Sequence, residues 1–222
     1  MPTAGFRGVD LPNAGEDLLD GFYAAFDQAG VLIPVSSKAA AISIATANAA
    51  KISANHPAYF DTGSIIWRYN GTSWESIPQG TYAFLSRTGT DASVANSTAT
   101  TLTAWDTVKT KGLTVASGII TIPSGFGGIY MLCASFSWEQ NKTGNRALRA
   151  YKKPSGGSAS MIVADIKPGN DGLHTAQIIA TPVSLADGDT VWVEVNQSSG
   201  GSLAIVNSVQ PQRFSLVWLS NS

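Results

Sequence analysis

The chain reads as a mainly β protein, with a sandwich or jelly-roll head over residues 80–222 preceded by short α-helices and a small β-hairpin. Three observations carry that reading. About ten short apolar or alternating runs fall within roughly 140 residues, too brief and too evenly spaced for helices. Turn-forming clusters separate them, such as Pro123-Ser124-Gly125, Pro154-Ser155-Gly156-Gly157, Pro168-Gly169-Asn170-Asp171-Gly172 and Ala186-Asp187-Gly188-Asp189. Helical periodicity is confined to residues 1–56.

That first segment holds two expected helices. After Gly15, Leu18, Leu19, Phe22, Tyr23 and Phe26 recur at helical spacing, with Glu16, Asp17 and Asp20 in the favourable first turn and Gly30 as the stop. Ser36 or Ser37 then caps a second, Ala-rich helix running to about residue 54, along which Ile42, Ala45, Ala49 and Ile52 form a heptad-like stripe. Such a helix either packs on its own unit or joins a short trimeric bundle. Leu18, Leu19, Phe22, Phe26, Ile42 and Ile52 are the candidate attachment residues of this module.

Residues 57–79 form a connector. Asn70-Gly71 sits between two apolar runs, the pattern of a two-residue hairpin turn, and Trp67, Tyr69 and Trp74 make the ribbon aromatic. Packing against a neighbour is the ordinary reading of these rings, with sugar stacking as the sharper one.

The expected head strands are Tyr82–Thr88, Thr98–Trp105, Leu113–Val115, Gly118–Ile122, Gly128–Trp138, Arg146–Lys152, Ser160–Ile166, Thr175–Val183, Thr190–Val195, Leu203–Val206 and Phe214–Leu219. The run from Gly128 to Trp138 is apolar on both faces. Tyr130, Leu132, Ala134, Phe136 and Trp138 lie on one, and Ile129, Met131 and Cys133 on the other. The last strand repeats the pattern, with Phe214, Leu216 and Trp218 opposed to Val217 and Leu219. Strands covered twice need a second sheet and a further cover, which a neighbouring copy can provide. Ile129, Met131, Cys133, Val217 and Leu219 are the candidate interface set, although alternation alone leaves open which face meets the core.

Charged residues are only 13% of the chain, so Ser, Thr, Asn, Gln and Gly must build much of the surface, as suits extracellular or virion proteins. A net charge of −1 provides no global field for nucleic acid or an anionic membrane. One cysteine excludes an intrachain disulfide, and the absence of a leader-like or membrane-length apolar run points to synthesis in a cytoplasm without membrane insertion.

The order of motifs in residues 80–222 resembles the jelly-roll heads of complement's first component and tumour necrosis factor. It begins with TYAFLSR and a ribbon ending GIITIP, continues through GIYMLCASFSW and N-x-T-G-N-R, and closes with SLADGDTVWVEV and FSLVWL. The resemblance implies a ten-stranded jelly roll assembling as a homotrimer. No collagen repeat precedes this head, so the head or the helices must set the trimer. The N-terminal sequences GVDLPNAGEDLLDGFYAAFDQAG and AYFDTGSIIWRYNGTSWESI are similar to leaders of bacteriophage tail and fibre proteins, particularly those of actinobacterial phages. That likeness implies a virion protein of the tail or baseplate, made in the host cytoplasm and attached to other virion proteins through residues 1–56.

The chemistry-bearing residues point to binding and not catalysis. Two histidines, no nucleophile elbow and no zinc helix are present, and GFGG at 125–128 reads as a turn and not a phosphate loop. Asp187 and Asp189 read as turn residues and not a glycosidase pair. Calcium at the PGNDG loop has too few acids to support it, and no metal or cofactor is expected. Asn141, Lys142, Asn145, Asn170, Asp171 and Asn196 are candidate receptor-binding loop residues for a host glycan or wall polymer. The cations of 142–153 either dock an anionic polymer or form a solvated strand. A capsid decoration or head fibre without receptor binding is the competing role, and a wall-degrading enzyme a third.

Overall fold

A computed structural model describes residues 32–54, 57–88, 91–207 and 209–221. The expected first helix, with Leu18, Leu19, Phe22 and Phe26, lies outside them. The chain forms two compact units, Met1–Gln79 and Gly80–Ser222.

In the first unit a four-stranded sheet runs in the order β1 (Ile33–Pro34), β2 (Ala58–Asp61), β3 (Ile65–Tyr69) and β4 (Trp74–Pro78). Parallel pairing of β1 with β2 joins the residues that precede the Ala-rich helix to the aromatic hairpin in one sheet. Helix α1 (Lys38–Ala47) begins at Ser37, whose hydroxyl accepts the Ala40 N–H. It ends earlier than periodicity suggests. Asn48 turns its side chain back to donate to the Ile44 carbonyl, and its backbone N–H reaches Ala45, tightening the last turn before a 3-10 segment at Ala49–Lys51. The heptad-like stripe is therefore broken: Ala41 and Ala45 form the buried face, Ile42 is exposed, and Ile52 follows the helical residues.

The hairpin aromatics find partners within this unit. Tyr69 and Trp74 stack at 4.7 Å, Phe60 lies 5.7 Å from Trp74, and the Lys38 ammonium sits 3.9 Å above the Trp67 ring. The turn is not the expected two-residue Asn-Gly form. Tyr69 pairs with Trp74 across a four-residue loop, in which the Asn70 carboxamide oxygen accepts the N–H groups of Thr72 and Ser73. Asn70 thus mimics a backbone turn, and only Gly71 takes a positive φ there.

The second unit is an antiparallel jelly-roll sandwich. Its strands are β5 (Tyr82–Arg87), β6 (Ala92–Val94), β7 (Thr100–Thr101), β8 (Thr107–Lys111), β9 (Thr114–Ala116), β10 (Ile119–Thr121), β11 (Gly128–Trp138), β12 (Asn141–Lys153), β13 (Ser160–Asn170), β14 (Thr175–Leu185), β15 (Thr190–Gln197), β16 (Leu203–Val206) and β17 (Gln212–Ser220). Setting aside the short edge segments β6, β7 and β9 leaves ten. One sheet has the order β13-β12-β15-β10-β9, with β7 on β15. The other has the order β6-β16-β11-β17-β5-β8, with β14 along the free side of β11. The chain changes sheet at β6–β7, β7–β8, β8–β9, β10–β11, β11–β12, β13–β14, β14–β15 and β15–β16, which makes the sandwich a jelly roll and not two stacked meanders.

Alternation along β11 now has its answer. Tyr130, Leu132, Ala134, Phe136 and Trp138 enter the core with Phe214, Leu216 and Leu85, against Ile120, Leu148, Val193 and Val195 of the facing sheet. Each large side chain so buried contributes about 1.5–3 kcal/mol. Ile129, Met131 and Cys133 point to the opposite, open face.

Two differences from expectation have simple causes. Most of Thr98–Trp105 leaves the ladder, because Trp105 turns inward to pack 6.2 Å from Phe136 while donating its ring N–H to the Leu102 carbonyl. Strand β8, TVKTK, carries no apolar alternation because it is an edge strand, where lysines suit the exposed ladder.

Candidate functional site

Two surfaces of the head have functional character, one apolar and one polar. The apolar one is the open face of the seven-stranded sheet. Cross-strand register sets Met131 between Pro182 and Val217, and Cys133 between Ala180 and Ser215. Tyr82 pairs with Val217, and Phe84 with Ser215. Ile178 is 63% exposed, Leu219 49%, Val217 44% and Tyr82 37%. All five candidate interface residues lie on this face or its margin. A bulge between Ile129 and Tyr130 leaves Leu219 out of register near the end of β17. Tyr82, Phe84, Ile178, Ala180 and Pro182 belong to the same surface and were missed. For Ile178, Ala180 and Pro182 the signal is present in TAQIIATPV, but the inward residues of that alternation begin with Thr175 and Gln177, which read as surface residues.

The polar surface is at one end of the sandwich, where β11 passes into β12, β13 into β14 and β15 into β16. Asn141, Lys142, Asn145, Asn170 and Asp171 gather there. Five of the six candidate loop residues are in fact strand residues, Asp171 being the exception. Pairing resumes beyond a bulge at 142–144, so Asn141 lies opposite Asn170 and Asn145 opposite Pro168. Asn196 pairs with Ala147 on the outward side of the six-stranded sheet, beside the cluster and not within it. Sequence reasoning missed Ser198. Its hydroxyl accepts the Asn145 N–H at 2.9 Å, and its own N–H returns to the Asn145 carbonyl. Gly144 has φ +69° and lies against Ser198 so closely that any side chain would collide with its backbone.

Beneath this end lies a layer of buried polar side chains that hold the backbone. Arg146 is fully buried, and its guanidinium donates to the carbonyls of Asn141 (2.8 Å), Thr143 (3.0 Å) and Asn145 (3.1 Å). Arg146 is therefore neither a docking cation nor a solvated one, because it is spent on its own bulge. Burial lowers its pKa from the usual guanidinium range, and its Nε has no acceptor. Gln177 accepts from the Trp138 ring N–H at 2.7 Å and donates to the carbonyls of Asp165 and Arg146. Gln197 donates to Val94 and Gly201 and accepts the Ser199 N–H. Apart from the Arg146 Nε, this buried layer has its hydrogen bonds made, and it favours one loop geometry because the alternatives strand further donors or acceptors away from water.

The opposite end, where the chain enters the head at β5, is built differently. The Asp187 carboxylate accepts the N–H groups of Gly125 and Gly127, both at 2.8 Å, and so closes the GFGG turn. The Tyr130 hydroxyl donates to the Phe126 carbonyl inside that turn. Burial, with the nearby Asp187 charge, holds the phenol well above its usual pKa. Asp189 accepts the Ala186 N–H. Both carboxylates are thus occupied by backbone. Among the described residues no three His, Cys, Asp or Glu side chains converge to hold a metal, and no helix is long and apolar enough to cross a membrane.

The geometry defines a tumour-necrosis-factor-like jelly roll. Among solved structures, murine APRIL at pH 5.0 is similar with a TM-score of 0.50 and 13% identity, over 64% of this chain and 100% of that one. Eiger TNF from S. frugiperda is similar with a TM-score of 0.51 and 11% identity, over 65% of this chain and 96% of that one. At such identities the likeness is one of fold. No protein-family model matches the sequence, and no curated protein matches it.

Proposed function

We propose that the chain is a bacteriophage virion protein of the tail or baseplate, whose homotrimeric head recognises the host surface without catalysis. The observation that carries the reading is the open face of the seven-stranded sheet. Tyr82, Met131, Ile178, Val217 and Leu219 give it the composition of an interface, yet it belongs to a sheet whose other face is filled by core. Apolar area of this kind marks a contact surface, and a copy of the same head is the cover that the sequence resemblance implies. The polar end lies away from the point where the chain enters the head, which suits it to meeting a ligand. Three copies joined by one interface raise weak single-site affinity through effective concentration. The phage assignment rests on the N-terminal sequence likeness, which also assigns attachment to residues 1–56.

Sedimentation of the full chain tests the assembly, with a trimer expected at micromolar concentration and a stable monomer removing the proposal. Excess purified protein should then block phage adsorption to host cells. Unimpeded adsorption, together with antibody labelling on the capsid, would favour a decoration protein instead.

A further inference from the structure

Resting on that reading, we infer that the polar end of the head takes a neutral glycan and not an anionic wall polymer. Charge accounting at the site carries the inference. Lys142 is paired with Asp171 at 3.6 Å, and Lys167 with Asp165 at 3.3 Å. The third cation of the cluster, Arg146, is buried beneath its own bulge and turned onto three backbone carbonyls. Glu139, at the start of the same connection, has no ion-pair partner among the described residues. A phosphate polymer approaching these connections therefore meets lysines that each already face a carboxylate, and one further carboxylate without an ion-pair partner among the described residues.

The other cations of 142–153 point elsewhere. Arg149 lies opposite Glu194 in the middle of the six-stranded sheet, while Lys152 donates to the Ser184 carbonyl. Lys153 lines a recess of about 260 Å³ at the far end, and Arg213 lies on the side of β17 that carries the apolar face.

What the site does offer is neutral hydrogen bonding on a fixed frame. The side chains of Asn145 and Asn170 are exposed and make no hydrogen bond within the described residues, so each presents a donor pair and an acceptor. The Ser198 hydroxyl stands beside Asn145, and Leu173, 65% exposed, adds an apolar contact for a sugar's C–H face. The Arg146, Gln177 and Gln197 clamps hold the backbone beneath these groups. Little ordering is then required on binding, which is where a neutral site must find its affinity.

The experiment is cosedimentation of the full chain with purified host cell walls, whole or stripped of phosphodiester-linked polymers by cold hydrofluoric acid. Binding to stripped walls should stay within about twofold of that to whole walls, and should change by less than about twofold between low and high salt. Asn145→Ala with Asn170→Ala should weaken it by about tenfold with an unchanged melting curve. Loss of binding on stripping, or steep loss with salt, would overturn the neutral-glycan inference and leave host recognition standing. Unweakened binding by the double variant overturns this placement of the site. Failure to bind either wall preparation removes both readings.

Discussion

The two faces of the seven-stranded sheet are made by the same strands with the same alternation, and they serve opposite ends. On one, Tyr130, Leu132, Phe136, Phe214 and Leu216 are fully enclosed by the facing sheet. On the other, Met131, Ile178, Val217 and Leu219 are nearly as apolar but have no cover among the described residues of the head. The two ends of the sandwich differ as sharply. One is clamped by buried Arg and Gln side chains below exposed carboxamides, and the other by a carboxylate closing a glycine turn. Apolarity thus decides what can be buried, and topology decides which of the two faces the second sheet covers.

The largest effect expected is on the enclosed face. Leu216→Asp places an unpaired carboxylate among Leu132 and Leu85, at a cost of more than about 4 kcal/mol, and circular dichroism should find no cooperatively folded head. Val217→Asp, one residue along, should leave the strand signal intact while sedimentation shifts from trimer to monomer. If both variants unfold alike, the distinction between the faces fails.

The contrast between the ends is tested by smaller losses. Arg146→Met leaves three carbonyls of the 141–145 bulge without their donor and should destabilise by about 2–4 kcal/mol, with hydrogen exchange rising first at Asn141 to Asn145. Asp187→Ala frees the N–H groups of Gly125 and Gly127 and should cost about 1–3 kcal/mol, with exchange rising at the opposite end.

The smallest effect is a pH dependence. Because the folded pKa of Tyr130 is raised, its contribution is fully present below the unfolded value of about 10 and is lost as pH rises from there towards the folded value. Wild type should lose about 1.4 kcal/mol per pH unit above about pH 10 from this site. Tyr130→Phe should flatten that slope in urea titrations, and an unchanged slope would remove the phenol from the account.

Much of the head was legible because strand periodicity is a local property. The bounds of β11 and β16, the alternation of β17 and the turn role of Asp187 all follow from neighbouring residues. The candidate site was less legible. Asn141 and Asn145 read as loop because the 142–144 bulge hides the continued pairing with β13. Arg146 reads as solvated because nothing near it in sequence announces the carbonyls that surround it. Ser198 joins Asn145 across 53 residues, a contact that only folding creates.

By itself, then, the sequence determined the β class of the head, the two-sided apolarity of β11 and β17, and the glycine-rich turns, since each depends on side-chain type and spacing along one strand. The tertiary structure alone decided which apolar face is core, that Arg146 is an internal clamp, and that Lys142 and Lys167 are already paired. Those outcomes depend on which strands become neighbours, and cross-strand register joins residues that no local pattern connects.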